Sequence, residues 1–146
     1  MENKNLVIAC DHAGFDYKND LIKYLEAKGY NMTDVGTYSP ESCDYPIPVH
    51  RLCEKITSGE CPRGILICGT GIGMSMAAGK FRGIRAAVCG DTFSARMTRM
   101  HNNANVLVMP ARFIPFETVV EITDAWLGEE FEGGRHQGRI DKIPCK

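Results

Sequence analysis

The stretch Gly64-Ile-Leu-Ile-Cys-Gly-Thr-Gly-Ile-Gly-Met-Ser-Met76 decides how this chain folds. An apolar run, Ile65 to Ile67, ends on Cys68; glycines stand at 69, 71 and 73; Met74 to Lys80 then reads as helix. That order spells a buried strand, a tight glycine loop and a helix N-terminus. Glycine lets the loop turn sharply, and the backbone N–H groups at its end converge on an anion. The same positive helix end lowers the pKa of a thiol, so a reactive thiolate is expected at Cys68. A cysteine closing a buried strand is ordinarily a small hydrophobe; the loop is what makes this one a candidate base beside an oxyanion site. The loop is not a dinucleotide fingerprint, which would need a third glycine where Met76 stands, and no Gly-Lys-Ser/Thr follows to make a phosphate-binding P-loop.

Working outward, Leu6 to Cys10 is a second short apolar run, read as a buried strand. Tyr17, Leu21, Tyr24, Leu25 and Lys28 follow at helical spacing, with Gly29 as the stop. Asn31 to Val35 is a further strand, and Gly36 to Pro48 is loop-like, with three prolines. Val49, Leu52, Cys53 and Ile56 mark one helix face ahead of Ser58-Gly59. Beyond the glycine loop, Ile84 to Cys89 reads as a strand. Phe93, Met97 and Met100 line a helix capped by Asp91 or Thr92, and Val106 to Met109 is the fifth strand. Phe116, Val119, Val120, Thr123 and Leu127 form the last long helix, before a polar tail from Glu129.

Strands alternating with helices predict an α/β fold: one Rossmann-like, three-layer domain over residues 1–146 with a five-stranded parallel sheet. Sites in such folds lie at the carboxyl ends of the strands. That rule gathers Asp11 and His12, Cys68 to Gly73, and Asp91 into one crevice, with Tyr45 within reach of it.

At 146 residues one domain is expected, and 44% hydrophobic with 24% charged residues is ordinary for a globular chain. A net charge of −1 gives no general attraction to nucleic acid or to an anionic membrane. Seven cysteines, an odd number without a Cys-x-x-Cys pair, fit reduced cytoplasmic thiols better than a disulfide framework. The N-terminus lacks a signal-peptide pattern, and no apolar run reaches membrane-spanning length. His12, His50, His101 and His136 show no zinc-ligand spacing, so neither metal nor cofactor is expected.

The remaining polar candidates each have an ordinary role. Asp11 suits a helix cap, His101 a helix C-terminus, and Arg135 with Arg139 a solvated face. If the tail is helical, those two guanidinia share one side and can clamp a phosphate. Together with the thiol and the oxyanion loop, this inventory suits proton transfer next to a carbonyl on a phosphorylated small molecule.

Cys10-Asp-His-Ala-Gly14, Asp44-Tyr-Pro46, Ile67-Cys-Gly-Thr-Gly-Ile-Gly73, Gly83-Ile-Arg-Ala86, His101-Asn102, Asn105-Val-Leu107, Asp124-Ala-Trp-Leu127 and Gly133-Gly-Arg-His-Gln137 with Arg139 run in order over nearly the whole chain. In these segments the sequence resembles the type B ribose-5-phosphate isomerases, of the sugar-phosphate isomerase family that also includes galactose-6-phosphate isomerase. The resemblance implies that Cys68 moves a proton between C2 and C1 of the open-chain sugar. It implies that backbone N–H groups of Gly69, Gly71, Ile72 and Gly73 hold the enediolate, and that Thr70 assists the oxygen-bound protons. It further implies that His101, helped by Asp11, opens the sugar ring. By the same resemblance His12, Arg135 and Arg139, with Arg112, would bind the phosphate, and Asn102 and Tyr45 would contact the substrate. The site is then shared in a homodimer or homotetramer, with the tail, about residues 129–146, crossing to a partner subunit.

Pro110 and Pro115 stand where such enzymes carry glycine, so the loop bearing Arg112 is expected to differ. Isomerases of six-carbon aldose phosphates, such as allose or galactose 6-phosphate, use the same chemistry and are the nearest alternative. A phospho-ligand sensor would need neither Cys68, Thr70 nor His101 as acid or base. A thiol-redox protein would need a resolving cysteine beside Cys68, and none is adjacent in sequence.

Overall fold

The computed structural model describes residues 3–144; Cys145, the last of the seven cysteines, lies outside them. Five strands, β1 (Asn5–Cys10), β2 (Asn31–Asp34), β3 (Arg63–Cys68), β4 (Ala86–Val88) and β5 (Val106–Pro110), form one sheet in the order β2-β1-β3-β5-β4. Every pairing is parallel. Their apolar runs do not alternate with polar residues because a central parallel strand is covered on both faces. Leu6, Ile8, Cys10, Ile65, Ile67, Leu107 and Met109 face one layer; Val7, Ala9, Leu66, Cys68, Val106 and Val108 face the other.

The first layer contains α1 (Phe15–Ala27), α4 (Thr92–Asn102) and α5 (Phe116–Leu127), with Trp126 wholly buried. The second contains α2 (Pro46–Thr57) and α3 (Ile72–Ala78). Chain direction therefore reverses between β1, which leads outward to β2, and β3, which leads the other way towards β4. The crevice at that reversal is where α/β sheets hold ligands.

Several boundaries shift for local reasons. Helix α2 begins at Pro46, inside the expected loop; prolines 46 and 48 sit in its first turn, where backbone N–H groups have no intrahelical acceptor. Helix α3 starts two residues early because Gly71, at φ 81°, supplies the left-handed turn that launches it. Strand β4 is shorter than the apolar run, since the backbone N–H of Arg85 donates to the Asn105 side chain at 2.7 Å. Phe93 faces outward, 68% exposed, and α4 buries Ala95 instead. The tail is not all coil: Arg135–Ile140 forms α6, which packs on α4.

Candidate active site

At the carboxyl end of β1, Asp11 Oδ1 accepts the N–H groups of Ala13 (2.9 Å) and Gly14 (3.2 Å), capping a single 3-10 turn at His12–Gly14. Its own N–H donates to the Ile67 carbonyl at 3.2 Å, which locks the turn onto the end of β3. Gly14 is required there: a Cβ would stand 2.5 Å from the Ile67 carbonyl oxygen. The ends of β1 and β3 thus bring Asp11 within electrostatic reach of Cys68, with His12 next to it in the turn. The N–H of Cys43 donates to His12 Nδ1 at 3.4 Å, which ties the imidazole to the loop ahead of Tyr45.

Cys68 is 6% exposed, beneath the glycine loop, and its Sγ accepts the Gly71 N–H at 2.9 Å. Burial pushes the thiol up from its ordinary value. The N–H of Gly71 pulls it down, the Asp11 carboxylate pushes it up, and the N–H groups of Met74 and Thr70 pull it down again. Burial wins, so the expected resting thiolate is corrected: the helix end and loop moderate a raised pKa without reversing it. Thr70 Oγ1 accepts the Ile72 N–H at 3.2 Å, on the exposed side of the loop. Tyr45 closes over Gly73, where a Cβ would meet its ring at 2.7 Å, and Arg112 lies against Gly69, 3.1 Å from a notional Cβ. With the prolines in place Arg112 stays against the glycine loop: the Ala111 and Arg112 N–H groups donate to the carbonyls of Cys68 and Gly69 at 2.8 and 3.1 Å.

Other expected members lie elsewhere in the chain. Asp91 follows the edge strand β4 and caps α4 through the Ser94 N–H at 2.7 Å, so it is engaged away from the β1–β3 crevice. His101 and Asn102 end α4, which starts at the carboxyl edge of the sheet and runs back to the amino edge. Eleven helical residues span about 16 Å, so one chain does not bring His101 to Cys68 or to Asp11. Instead His101 stacks on His136, ring centroids 4.4 Å apart, in a cleft of about 360 Å³ shared with Asn102 and Arg139. Helix α6 puts Arg135 and Arg139 four residues apart, on one side. The expected residues thus fall into two separate groups: thiol, loop, Asp11, His12, Tyr45 and Arg112 in one; His101, Asn102 and the two tail arginines in the other.

Sequence reasoning missed Lys18, Glu132 and His136. Lys18 is buried in α1, and its Nζ donates to both Asp34 carboxylate oxygens (2.8 and 3.0 Å) and to the Thr37 carbonyl (2.6 Å), pinning the loop beside the crevice. Glu132 faces the nitrogen edges of the two stacked histidines, its Oε1 3.6 Å from His101 Nε2 and 3.4 Å from His136 Nε2. The four-residue spacing of Glu132 and His136 was the available signal.

A family model described as Ribose/Galactose Isomerase matches residues 6–143. Ribose-5-phosphate isomerase B of Escherichia coli is 45% identical over 140 residues, 96% of this chain and 94% of that protein. A ribose 5-phosphate isomerase from Thermotoga maritima superimposes with a TM-score of 0.95 at 48% identity, covering 97% of this chain and 98% of its own. Ribose-5-phosphate isomerase B from Mycoplasma genitalium, solved with bound ribulose-5-phosphate, gives 0.91 at 41% identity, covering 95% and 93%.

Proposed function

The chain belongs to the ribose/galactose isomerase family, and from that premise we propose that it interconverts ribose 5-phosphate and ribulose 5-phosphate. The observation that carries the reading is Cys68 held at 2.9 Å by the Gly71 N–H, beneath a glycine loop with Arg112 packed against Gly69. In the open-chain aldose, the Cys68 thiolate takes the C2 proton. The electron pair moves into C1–C2 and charge develops on the carbonyl oxygen, where loop N–H groups at a helix start stabilise it. The thiol then returns the proton to C1, while Thr70 assists transfer between the sugar oxygens. The raised thiol pKa makes the thiolate scarce at rest but strongly basic once formed. His12 and Arg112 hold the phosphate from one side.

His101, Arg135 and Arg139 reach this crevice from a second copy of the chain, so that a homodimer, or a pair of dimers, builds complete sites. There the histidine, with Asp11, moves protons between O1 and the ring oxygen to open the furanose, since an imidazole has one nitrogen that can give a proton and one that can take it. The tail beyond Glu129 is the element that crosses. Reduced thiols fit a cytoplasmic location, and among the described residues no helix is long and apolar enough to cross a membrane.

The test is turnover of four-, five- and six-carbon aldose phosphates by the purified chain, with chelator present. Ribose 5-phosphate should have the highest kcat/KM. A higher value for a six-carbon phosphate would transfer the assignment to that substrate, and absence of turnover on all of them would remove it.

A further inference from the structure

We propose that His101, Glu132 and His136 form a binding site for a divalent transition metal of the zinc type, and that metal bound there inhibits turnover by withdrawing His101. The three side chains converge from separate segments: the last turn of α4, the loop before α6, and α6 itself. Their ligand atoms all lie within 4.8 Å of one another. Zinc–nitrogen bonds of 2.0–2.1 Å set the edges of a tetrahedral ligand set at about 3.3 Å. Glu132 Oε1 is 3.6 Å from one histidine nitrogen and 3.4 Å from the other, so two edges already have nearly that length; the rings are stacked 14° from parallel, so the half-exposed His101 ring must turn out of the stack to aim its in-plane lone pair at the ion.

The buried histidine supplies an independent argument. His136 is 6% exposed, and its Nε2 has no hydrogen-bond partner although the Glu132 carboxylate is near. A buried, unpaired imidazole nitrogen is costly, and a metal ion would use its lone pair. The backbone holds the group together without metal: the Glu132 N–H donates to the Met100 carbonyl at 3.0 Å, and the His136 N–H to the Gly133 carbonyl at 3.2 Å. Two imidazoles and one carboxylate are donors that suit zinc, nickel or copper better than magnesium or calcium. Three protein ligands leave a fourth position open to the cleft, where Arg139 favours an anion such as chloride or hydroxide. The inhibition, unlike the binding, rests on the ring-opening role proposed for His101.

The experiment titrates the metal-free full chain with cobalt(II), a spectroscopic stand-in for zinc. The expected result is one equivalent per chain with visible ligand-field bands, no near-ultraviolet sulfur-to-cobalt band, and displacement by zinc. Glu132→Gln and His136→Asn should each weaken cobalt binding by about tenfold or more. Glu132 is partly exposed, so its variant keeps the test alive should the buried histidine prove necessary for folding. A sulfur band, no binding below millimolar cobalt, or unchanged binding in both variants overturns the site. In parallel, zinc should suppress ribose 5-phosphate turnover, and each variant should need about tenfold more zinc relative to its own metal-free rate. Zinc binding with full turnover overturns the inhibition alone. The cobalt titration needs no substrate, so it stands or fails separately from the assigned reaction.

Discussion

Cys68, the proposed base, has its pKa set by competition, with burial against the N–H groups of the loop. Cys68→Ala should lower turnover by two to four powers of ten while leaving unfolding and phosphate affinity near normal, as stopped assays and calorimetry can measure. Turnover within about tenfold of the parent would remove the thiol from the mechanism. The raised pKa also orders the thiols by reactivity. Iodoacetamide at neutral pH should reach partly exposed Cys43 first, then Cys68, and last Cys10, Cys53 and Cys89, which burial holds at about 12, 12 and 11. Those three affect stability too. Near or below pH 9 their thiols are neutral in both folded and unfolded chains, and burial of the neutral form contributes fully. Above 9 the unfolded thiols ionise first, so stability falls until the folded pKa values of 11 to 12 are passed. Each thiol contributes up to about 1.4 kcal/mol per pH unit across its window. Denaturation midpoints should therefore fall between pH 9 and 11, and fall less steeply in Cys53→Ala. Parallel slopes in parent and variant would contradict this linkage.

At the level of elements, the fit of the turn after β1 onto β3 is the tightest packing in the crevice. Gly14→Ala drives a Cβ to 2.5 Å from a backbone oxygen that cannot swing away, and should cost about 1–3 kcal/mol or more. Gly90→Ala, facing open space without a positive φ, should change stability by less than about 0.5 kcal/mol. Equal costs by chemical denaturation would mean the crevice repacks freely. The same elements show what could be read from sequence. The strand runs were legible because central parallel strands are apolar on both faces, and the glycine loop because a left-handed residue must launch α3. Burial of Lys18 was not legible: its partners, Asp34 and the Thr37 carbonyl, come from another strand and its loop, 16 and 19 residues away. The outward turn of Phe93 was equally hidden, since helical spacing defines a stripe without saying which side is covered. His136 and Glu132 escaped because their third partner, His101, lies 31 residues before Glu132, and no local spacing rule spans that distance.

Across the whole molecule, the doubly wound topology separates the chemistry that the sequence groups together. Helices return antiparallel to the strands, so a residue at a strand's carboxyl end and one at a helix's carboxyl end sit on opposite edges. Cys68 and His101 are such a pair. Their separation makes the proposed shared site testable by complementation. Cys68→Ala and His101→Asn should each impair turnover of ribose 5-phosphate when homogeneous. Suppose both variants are co-expressed with different tags and the doubly tagged species is isolated. In a dimer that shares its sites, one crevice then combines both lesions. The other combines an intact Cys68 from one subunit with an intact His101 from its neighbour. Turnover should return to about half that of the parent, because one of two symmetric sites is complete. If each chain completed its own site, every crevice would carry one lesion, and the mixed species would average the two impaired variants. Activity at that average would end the shared-site assignment while leaving the role of Cys68 untouched.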